Sequence, residues 1–227
     1  MDDFPIKQYF LNERPEMVAF LPSQFSTTLE IGCGAGGFTG TYLRDARERW
    51  GVEPDADAAR VAVPQFEQML IGTYDQIAQQ LPDKHFDLVV CNDVIEHMPD
   101  HDRFLQDVAT KMRPGGHIVG SVPNIRHFTA LVKLLILKDF PYAEDGILDR
   151  THKRFFTIKS LSRTFRENSY EVEALCGIRS IIRDGITGLS PAKKAASKIA
   201  AAALVGASFG YWSDTQYSQI AFRVRLT

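Results

Sequence analysis

The residues with the clearest chemical purpose stand in one short stretch, Glu30-Ile31-Gly32-Cys33-Gly34-Ala35-Gly36-Gly37. Four glycines in six residues weaken a helix start unless a ligand has to approach the backbone there. The spacing fits two chemistries. Gly32, Gly34 and Gly37 satisfy the dinucleotide pattern G-x-G-x-x-G, and Glu53 follows where a ribose-binding acid belongs. Gly32, Gly34 and Gly36 satisfy G-x-G-x-G equally well. A dinucleotide brings an anionic pyrophosphate to the next helix N-terminus, and Glu30, two residues ahead of the first glycine, would repel it. A carboxylate there suits an ammonium or a sulfonium. Glu53 can accept both hydroxyls of a ribose with either ligand.

Other candidates lie further on. Asp93, Glu96 and His97 follow the apolar run Phe86–Asn92, and Asp149-Arg150-Thr151-His152 closes a polar, irregular stretch. His152, His97, Asp149 and Glu96 are the groups able to take a proton from an acceptor hydroxyl. His85, His101, His117 and His127 read as surface or packing residues. Cys33, Cys91 and Cys176 are odd in number and far apart. They offer neither a disulfide framework nor a metal-ligand spacing, so no metal is expected, and they fit a reducing cytoplasm.

These residues need elements to hold them. Thr27–Ile31 reads as a strand, Phe38–Arg49 as a helix and Trp50–Glu53 as a second strand, followed by a helix over Asp55–Val63 and a weaker strand over Phe66–Ile71. Phe86–Asn92 is apolar through its middle, as a strand buried on both faces is. Asp102–Met112 reads as a helix stopped by Pro114-Gly115-Gly116, and His117–Val122 as a strand. Such alternation implies βαβ units with helices on both faces of a mostly parallel sheet. Phe128–Leu137 reads as a helix with an apolar stripe, then Ser160–Asn168 as a helix and Tyr170–Ile182 as a strand. A helix follows over Pro191–Val205. Tyr217–Leu226 alternates with period two, as an edge or hairpin strand does. The 227 residues suit one domain, 1–227, with an insertion at 125–157.

The ordered set of Glu30-x-Gly32-x-Gly34-x-Gly36, the acid Glu53, Phe86 through His97, and Arg113-Pro114-Gly115-Gly116 resembles the class I S-adenosylmethionine-dependent methyltransferases. The likeness is close over about residues 25–125 and looser elsewhere. It implies a doubly wound, Rossmann-like α/β fold of seven strands in the order 3-2-1-4-5-7-6, with strand 7 antiparallel and supplied by Tyr217–Leu226. It implies S-adenosylmethionine as cofactor and S-adenosylhomocysteine as product. The backbone around Gly32, Cys33 and Gly34 would then cradle the methionine part, with Gly36 allowing close packing. Glu30 would lie under the ammonium, Glu53 would take the ribose hydroxyls, and Pro54 and Asp55 would line the adenine side. Many members carry an Asp after the third strand; here the stretch includes Gly72 and Thr73, and Thr73, a backbone group or Asp75 has to serve. Asp93 and Val94 would stand beside the methionine and the sulfonium, or Asp93 would cap the next turn, and His97 would sit on the loop above.

In similar enzymes the segment before the first strand, here residues 1–24 with Tyr9 and Arg14, folds over the cofactor. Arg14 would pair with the methionine carboxylate or remain solvated. Asp149 through Thr157 resembles a segment of bacterial methyltransferases near the ubiquinone-type O-methyltransferases, a branch often tied to sugar and polysaccharide pathways. His152 would there face the acceptor, or with Arg154 pin a lid to the sheet.

Residues 1–125 hold 10 basic and 19 acidic residues, and residues 126–227 hold 16 and 9, beneath a net charge of only −2. Residues 126–166 carry nine basic residues against four acids. Beside a cationic cofactor in the acidic half, this pattern points to a small anionic acceptor: a nucleotide sugar, a glycan or a carboxylate-bearing metabolite. Unevenly charged surface helices account for the same numbers. No long basic run suits nucleic acid. Two other classes share some of these features: an NAD-binding oxidoreductase, and a cofactor-binding partner protein without catalysis. The N-terminus lacks the apolar core of a signal peptide. The uncharged run from Ile199 to Ser213 is too short to span a bilayer and reads as a buried or interfacial helix, with peripheral membrane contact open to it.

Overall fold

A computed structural model describes residues 8–186 and 189–227. Seven strands form one sheet: β1 (Thr27–Ile31), β2 (Glu48–Glu53), β3 (Gln68–Ile71), β4 (Phe86–Asn92), β5 (Met112–Pro123), β6 (Tyr170–Ser180) and β7 (Tyr217–Leu226). Their order is β3-β2-β1-β4-β5-β7-β6. The first five run parallel, and β7 is antiparallel to both β5 and β6. This is the Rossmann-like arrangement expected from the resemblance.

The centre of the sheet follows from its apolar runs. Leu88, Val89, Val90 and Cys91 of β4 are completely buried, because helices cover both faces. The one carboxylate within β4, Asp87, accepts the backbone amides of Ser26 and Thr27 and so sets the entry into β1. On one face, α4 (His101–Lys111) and α6 (Ile158–Glu167) bring Phe104, Leu105 and Phe165 against β4, β5 and β7. On the other, α1 (Gly37–Tyr42) contributes Phe38, joined by Met17 and Phe20 from a 3₁₀ helix over Pro15–Phe20. The segment ahead of β1 is thus part of the core.

Several boundaries differ from the sequence reading. The helix expected over Phe38–Arg49 is only α1, since Gly40 and the β-branched Thr39 and Thr41 favour helix poorly, and β2 already starts at Glu48 opposite Thr27. The next helix, α2 (Ala56–Ala62), begins where Asp55 accepts two backbone amides as its N-cap. A short α3 (Tyr74–Ile77) follows β3. β5 starts at Met112 and takes Pro114-Gly115-Gly116 into the strand as a register shift between Phe86 and Leu88 of its partner. The apolar stripe after residue 127 becomes one α turn, α5 (Phe128–Leu131), running into a π turn over Val132–Ile136. β6 ends at Ser180, whose hydroxyl caps α7 (Ile181–Asp184).

Two alternatives left by the sequence are decided. β7 is not an edge strand: it is paired on both sides, between β5 and β6 as the resemblance implied, and its alternation reflects Arg223 and Arg225 reaching Glu173 and Glu171 across the sheet. Of the buried and interfacial readings of the Ala-rich helix, the buried one fails: in α8 (Pro191–Ala207) only Ala201 is buried, and Ile199 is 70% exposed. Among the described residues no helix is long and apolar enough to cross a membrane.

Candidate active site

In this strand order β1 and β4 are neighbours, while the helices after them pack on opposite faces of the sheet. The chain therefore parts beyond their carboxyl ends and leaves a crevice, the usual ligand position in open α/β sheets. A cavity of about 760 Å³ lies there, well within the range of small-molecule sites. The loops after β1, β2, β3 and β4 form its walls.

The glycine loop is shaped for close approach. Gly32 and Gly34 take positive φ of 70° and 53°. A Cβ on Gly32 would stand 2.9 Å from Val94 Cγ2, and one on Gly34 3.0 Å from the Phe10 carbonyl oxygen. Any side chain would both strain the backbone and collide. Gly36 is the left-handed N-cap of α1, whereas Gly37 lies within the helix, so the tight loop follows G-x-G-x-G. Phe10 O accepts the amide of Ala35 at 3.1 Å, so the N-terminal segment packs against the glycine loop. Residues 1–7 and the side chain of Tyr9 lie outside the described residues.

Two acids stand behind this loop. Glu53 accepts Gly34 N at 2.8 Å on Oε2 and Asp55 N at 2.9 Å on Oε1. Each oxygen keeps a further lone pair able to accept another hydrogen bond. Burial holds its carboxyl above the ordinary range. Glu30 accepts the Thr39 hydroxyl at 2.5 Å, and burial pushes its pKa up to about 7. A carboxyl that holds its proton more tightly folded than unfolded makes stability fall as pH rises between the two values. The ligand-free protein is therefore expected to lose about 2–3 kcal/mol between pH 4.5 and 7, a loss absent in Glu30→Gln. Urea melts across that interval check this; identical slopes for both proteins refute it.

At the end of β4, Asp93 has φ 56° and Arg14 has φ 52°, both in the left-handed region. The two form an ion pair. Arg14 also donates to Glu16 at 2.9 Å, Ser121 Oγ at 2.7 Å and Gln219 Oε1 at 2.5 Å. Of its five N–H groups one, on Nη1, has no partner among the described residues. Arg14 is thus neither solvated nor a free guanidinium: it is 5% exposed and joins the N-terminal segment to β4, β5 and β7. Asp93 accepts from Arg14, Ser121 and Gln219, so its carboxylate closes this network and caps no helix.

The histidines meet through tertiary contact. Lys153 N and Arg154 N donate to Glu96 O at 2.7 and 3.1 Å, which presses residues 151–154 onto the turn after β4. The rings of His97 and His152 lie 4.9 Å apart. Thr151 Oγ1 donates to Asp149 Oδ1 at 2.6 Å and lies 3.2 Å from His97 Nδ1. With its proton given to Asp149, Thr151 must accept from His97, which leaves His97 Nε2 as the free base. Burial, then the neighbouring His152, lowers the His97 pKa, so the ring is neutral near pH 7. His97 and Thr151 line the cavity; His152 and Asp149 do not. His152 Nδ1 lies 3.2 Å from Ile147 O, and Arg154 Nη2 donates to Pro99 O at 2.8 Å, so both hold the 125–157 segment in place. Glu96 is 1% exposed, neither of its carboxylate oxygens has a partner among the described residues, and burial raises its pKa well above the usual range. One ligand atom each from Glu96, His97 and His152 lie within 4.8 Å of one another, close enough to hold a metal ion.

The structure brings Glu30, Gly32, Cys33, Gly34, Glu53, Pro54, Gly72, Thr73, Asp93, Val94, His97 and Arg14 to one cavity. Gly36 stands behind it. Asp75 lines it too, while the Thr73 amide is taken by Gln76 in a capping box. The sequence reading passed over Asn92 and Thr151. Asn92 lines the cavity, and both its amide atoms are buried and without a partner among the described residues, so they can meet a bound polar group. Its signal was available, as the polar end of an otherwise apolar strand. None of the nine basic residues of 126–166 lines the cavity, and Arg126 and Arg150 are held by Asp214 and Glu144.

Strand order, glycine loop and acid-lined crevice are those of the class I S-adenosylmethionine-dependent methyltransferase fold. Residues 7–175 match the methyltransferase domain family, and the chain belongs to it. A ubiquinone biosynthesis O-methyltransferase of Aeromonas salmonicida is 28% identical over 159 residues, covering 66% of this chain and 65% of that protein. One of Cupriavidus pinatubonensis is 25% identical over 155 residues, covering 66% and 62%. The chain thus spans less than two thirds of either relative. Among solved structures, a SAM-dependent methyltransferase of Archaeoglobus fulgidus superposes with a TM-score of 0.64 at 18% identity, covering 92% of this chain and 90% of that one. One from Mesorhizobium loti gives 0.62 at 16%, covering 94% and 97%. The dinucleotide reading is set aside.

Proposed function

We propose that the chain moves the methyl group of S-adenosylmethionine to a hydroxyl of a small anionic acceptor, with His97 as general base. The Asp149–Thr151–His97 hydrogen-bond chain at the cavity wall carries this reading. It fixes the tautomer and aims Nε2, and the relatives named for O-methylation support a hydroxyl acceptor. The sulfonium supplies an activated methyl group, so the protein's work is alignment, exclusion of water and removal of the acceptor proton. Gly32 and Gly34 hold the methionine part, Glu30 meets its ammonium, and the free Nη1 donor of Arg14 is offered to its carboxylate. Asn92 meets a polar ligand atom beside them. Glu53 binds the ribose, and Asp75 or the backbone beside Thr73 reads the adenine. The 125–157 segment forms the acceptor side, and its exposed Lys153, outside the cavity wall, is offered to an anionic group that projects beyond the cavity. Acceptors of this kind include nucleotide sugars, glycans and carboxylate-bearing phenols.

Labelled S-adenosylmethionine offered to panels of such compounds tests the acceptor. Methylation of neutral and anionic analogues at equal kcat/KM, indifferent to salt, overturns the anionic reading. Glu53→Gln exchanges charge-assisted hydrogen bonds for neutral ones and is expected to weaken S-adenosylhomocysteine about tenfold by calorimetry. Unchanged affinity removes Glu53 from the site.

The unpartnered Glu96 carboxyl beside two imidazoles favours a second reading. A divalent cation held by Glu96, His97 and His152 would polarise the acceptor hydroxyl. Turnover that survives EDTA and dialysis supports the base; loss that is restored by magnesium or zinc supports the cation.

A further inference from the structure

The C-terminal insertion between β6 and β7 shows the reverse of an ordinary surface helix. A helix resting on a sheet buries its apolar stripe and turns charge outward. In α8 the exposed positions are Pro191, Lys193, Gly206 and otherwise only alanines and Ile199. Beyond its end Phe209 is 100% and Tyr211 80% exposed. Phe209 also holds φ 50°, a left-handed helix-stop position that glycine ordinarily fills. An aromatic ring held in solvent on strained backbone, with no packing to compensate, marks a functional position. The charges are equally one-sided: Lys193, Lys194 and Lys198 lie between residues 185 and 213, with no Asp or Glu. Lys198 caps the Arg183 carbonyl at 2.6 Å, leaving Lys193 and Lys194 at the basic end of an apolar face.

We infer that α8 and the Phe209–Tyr211 turn seat the protein on a lipid bilayer with anionic headgroups. The occupant follows from complementarity. An acid-free, lysine-bearing helix with an apolar outer face and terminal aromatics lies in the plane of a negatively charged interface, lysines at the headgroups and rings among the acyl chains. The helix lies along the surface and does not span it. The anchor is joined to the base of the 125–157 segment. Trp212 lies under the Arg126 guanidinium at 5.6 Å, and Arg126 pairs with Asp214 at 2.5 Å, where the 125–157 segment leaves β5. The seated protein therefore holds that segment near the membrane, whichever acceptor it methylates.

Flotation with phosphatidylcholine vesicles, with and without phosphatidylglycerol, tests this. The full chain is expected to float with the phosphatidylglycerol vesicles and to be released by high salt. Phe209→Ser with Tyr211→Ser is expected to cut the bound fraction about tenfold. Lys193→Gln and Lys194→Gln are each expected to cut it about fivefold. S-adenosylhomocysteine affinity is followed in every variant, and the lysine variants keep the test intact if the aromatic one fails to fold. Absence of binding by the wild type, or equal binding by all variants, overturns the inference. So does a wild-type dimer by light scattering that the aromatic substitutions dissolve, since that assigns the face to a second copy of the chain.

Discussion

His97→Ala is expected to lower kcat by roughly 10²–10⁴-fold, the usual worth of a positioned general base. The acceptor hydroxyl has to lose its proton as the methyl group arrives, and His97 is the imidazole on the cavity wall whose free nitrogen is fixed by its neighbours. The pH profile is part of the expectation. Burial and His152 lower the His97 pKa, so the base is already unprotonated below neutrality. The acid limb of kcat/KM then falls below the ordinary histidine value, and in His97→Ala that limb vanishes. Thr151→Val gives the finer test. It removes the acceptor for Nδ1–H and frees the tautomer, so ¹⁵N shifts of His97 are expected to move toward the Nε2–H form, while Thr151→Ser retains the wild-type spectrum. A His97→Ala enzyme with wild-type kcat rules out the base, and with it a cation that needs His97 as a ligand.

Arg14→Met is expected to destabilise the protein by about 3–5 kcal/mol, the penalty for stranding one partner of a buried ion pair. Four of the five Arg14 donors are spent within the protein, and Asp93 loses its cation while Ser121 and Gln219 lose a donor. Both Arg14 and Asp93 hold left-handed backbone that this network sustains. In a domain of this size the loss corresponds to roughly 10 °C in Tm. Arg14→Met with Asp93→Asn is expected to recover part of the loss, since the stranded charge goes with it. A single variant within about 0.5 kcal/mol of the wild type, the range of ordinary surface substitutions, would show that the pair lies open to solvent.

The cofactor half of the site was legible because its chemistry is local. A glycine loop, an acid at the end of the next strand and a polar terminus on an apolar strand are each written within a few residues, and the sheet order converges their ends on one crevice. Even there the sequence left Arg14 with two fates. The choice depended on Ser121 and Gln219, 107 and 205 residues away. The acceptor half was legible only as a set of residue types. His152 and Asp149 were chosen for their chemistry, yet they stand behind the cavity wall and Thr151 stands in it. No local pattern marks Thr151; its place depends on two amides, Lys153 and Arg154, finding the carbonyl of Glu96.

The amino-acid order by itself determined the strand alternation, the buried centre of the sheet, the glycine loop and the acids that serve it. These follow from apolar periodicity and from backbone freedom that glycine alone provides. The tertiary structure decided which histidine faces the cavity, which guanidinium is already spent, and that α8 turns its alanines outward. Each of these depends on what lies opposite in space: a carbonyl 57 residues distant along the chain, a carboxylate 79 residues away, or, among the described residues, nothing at all.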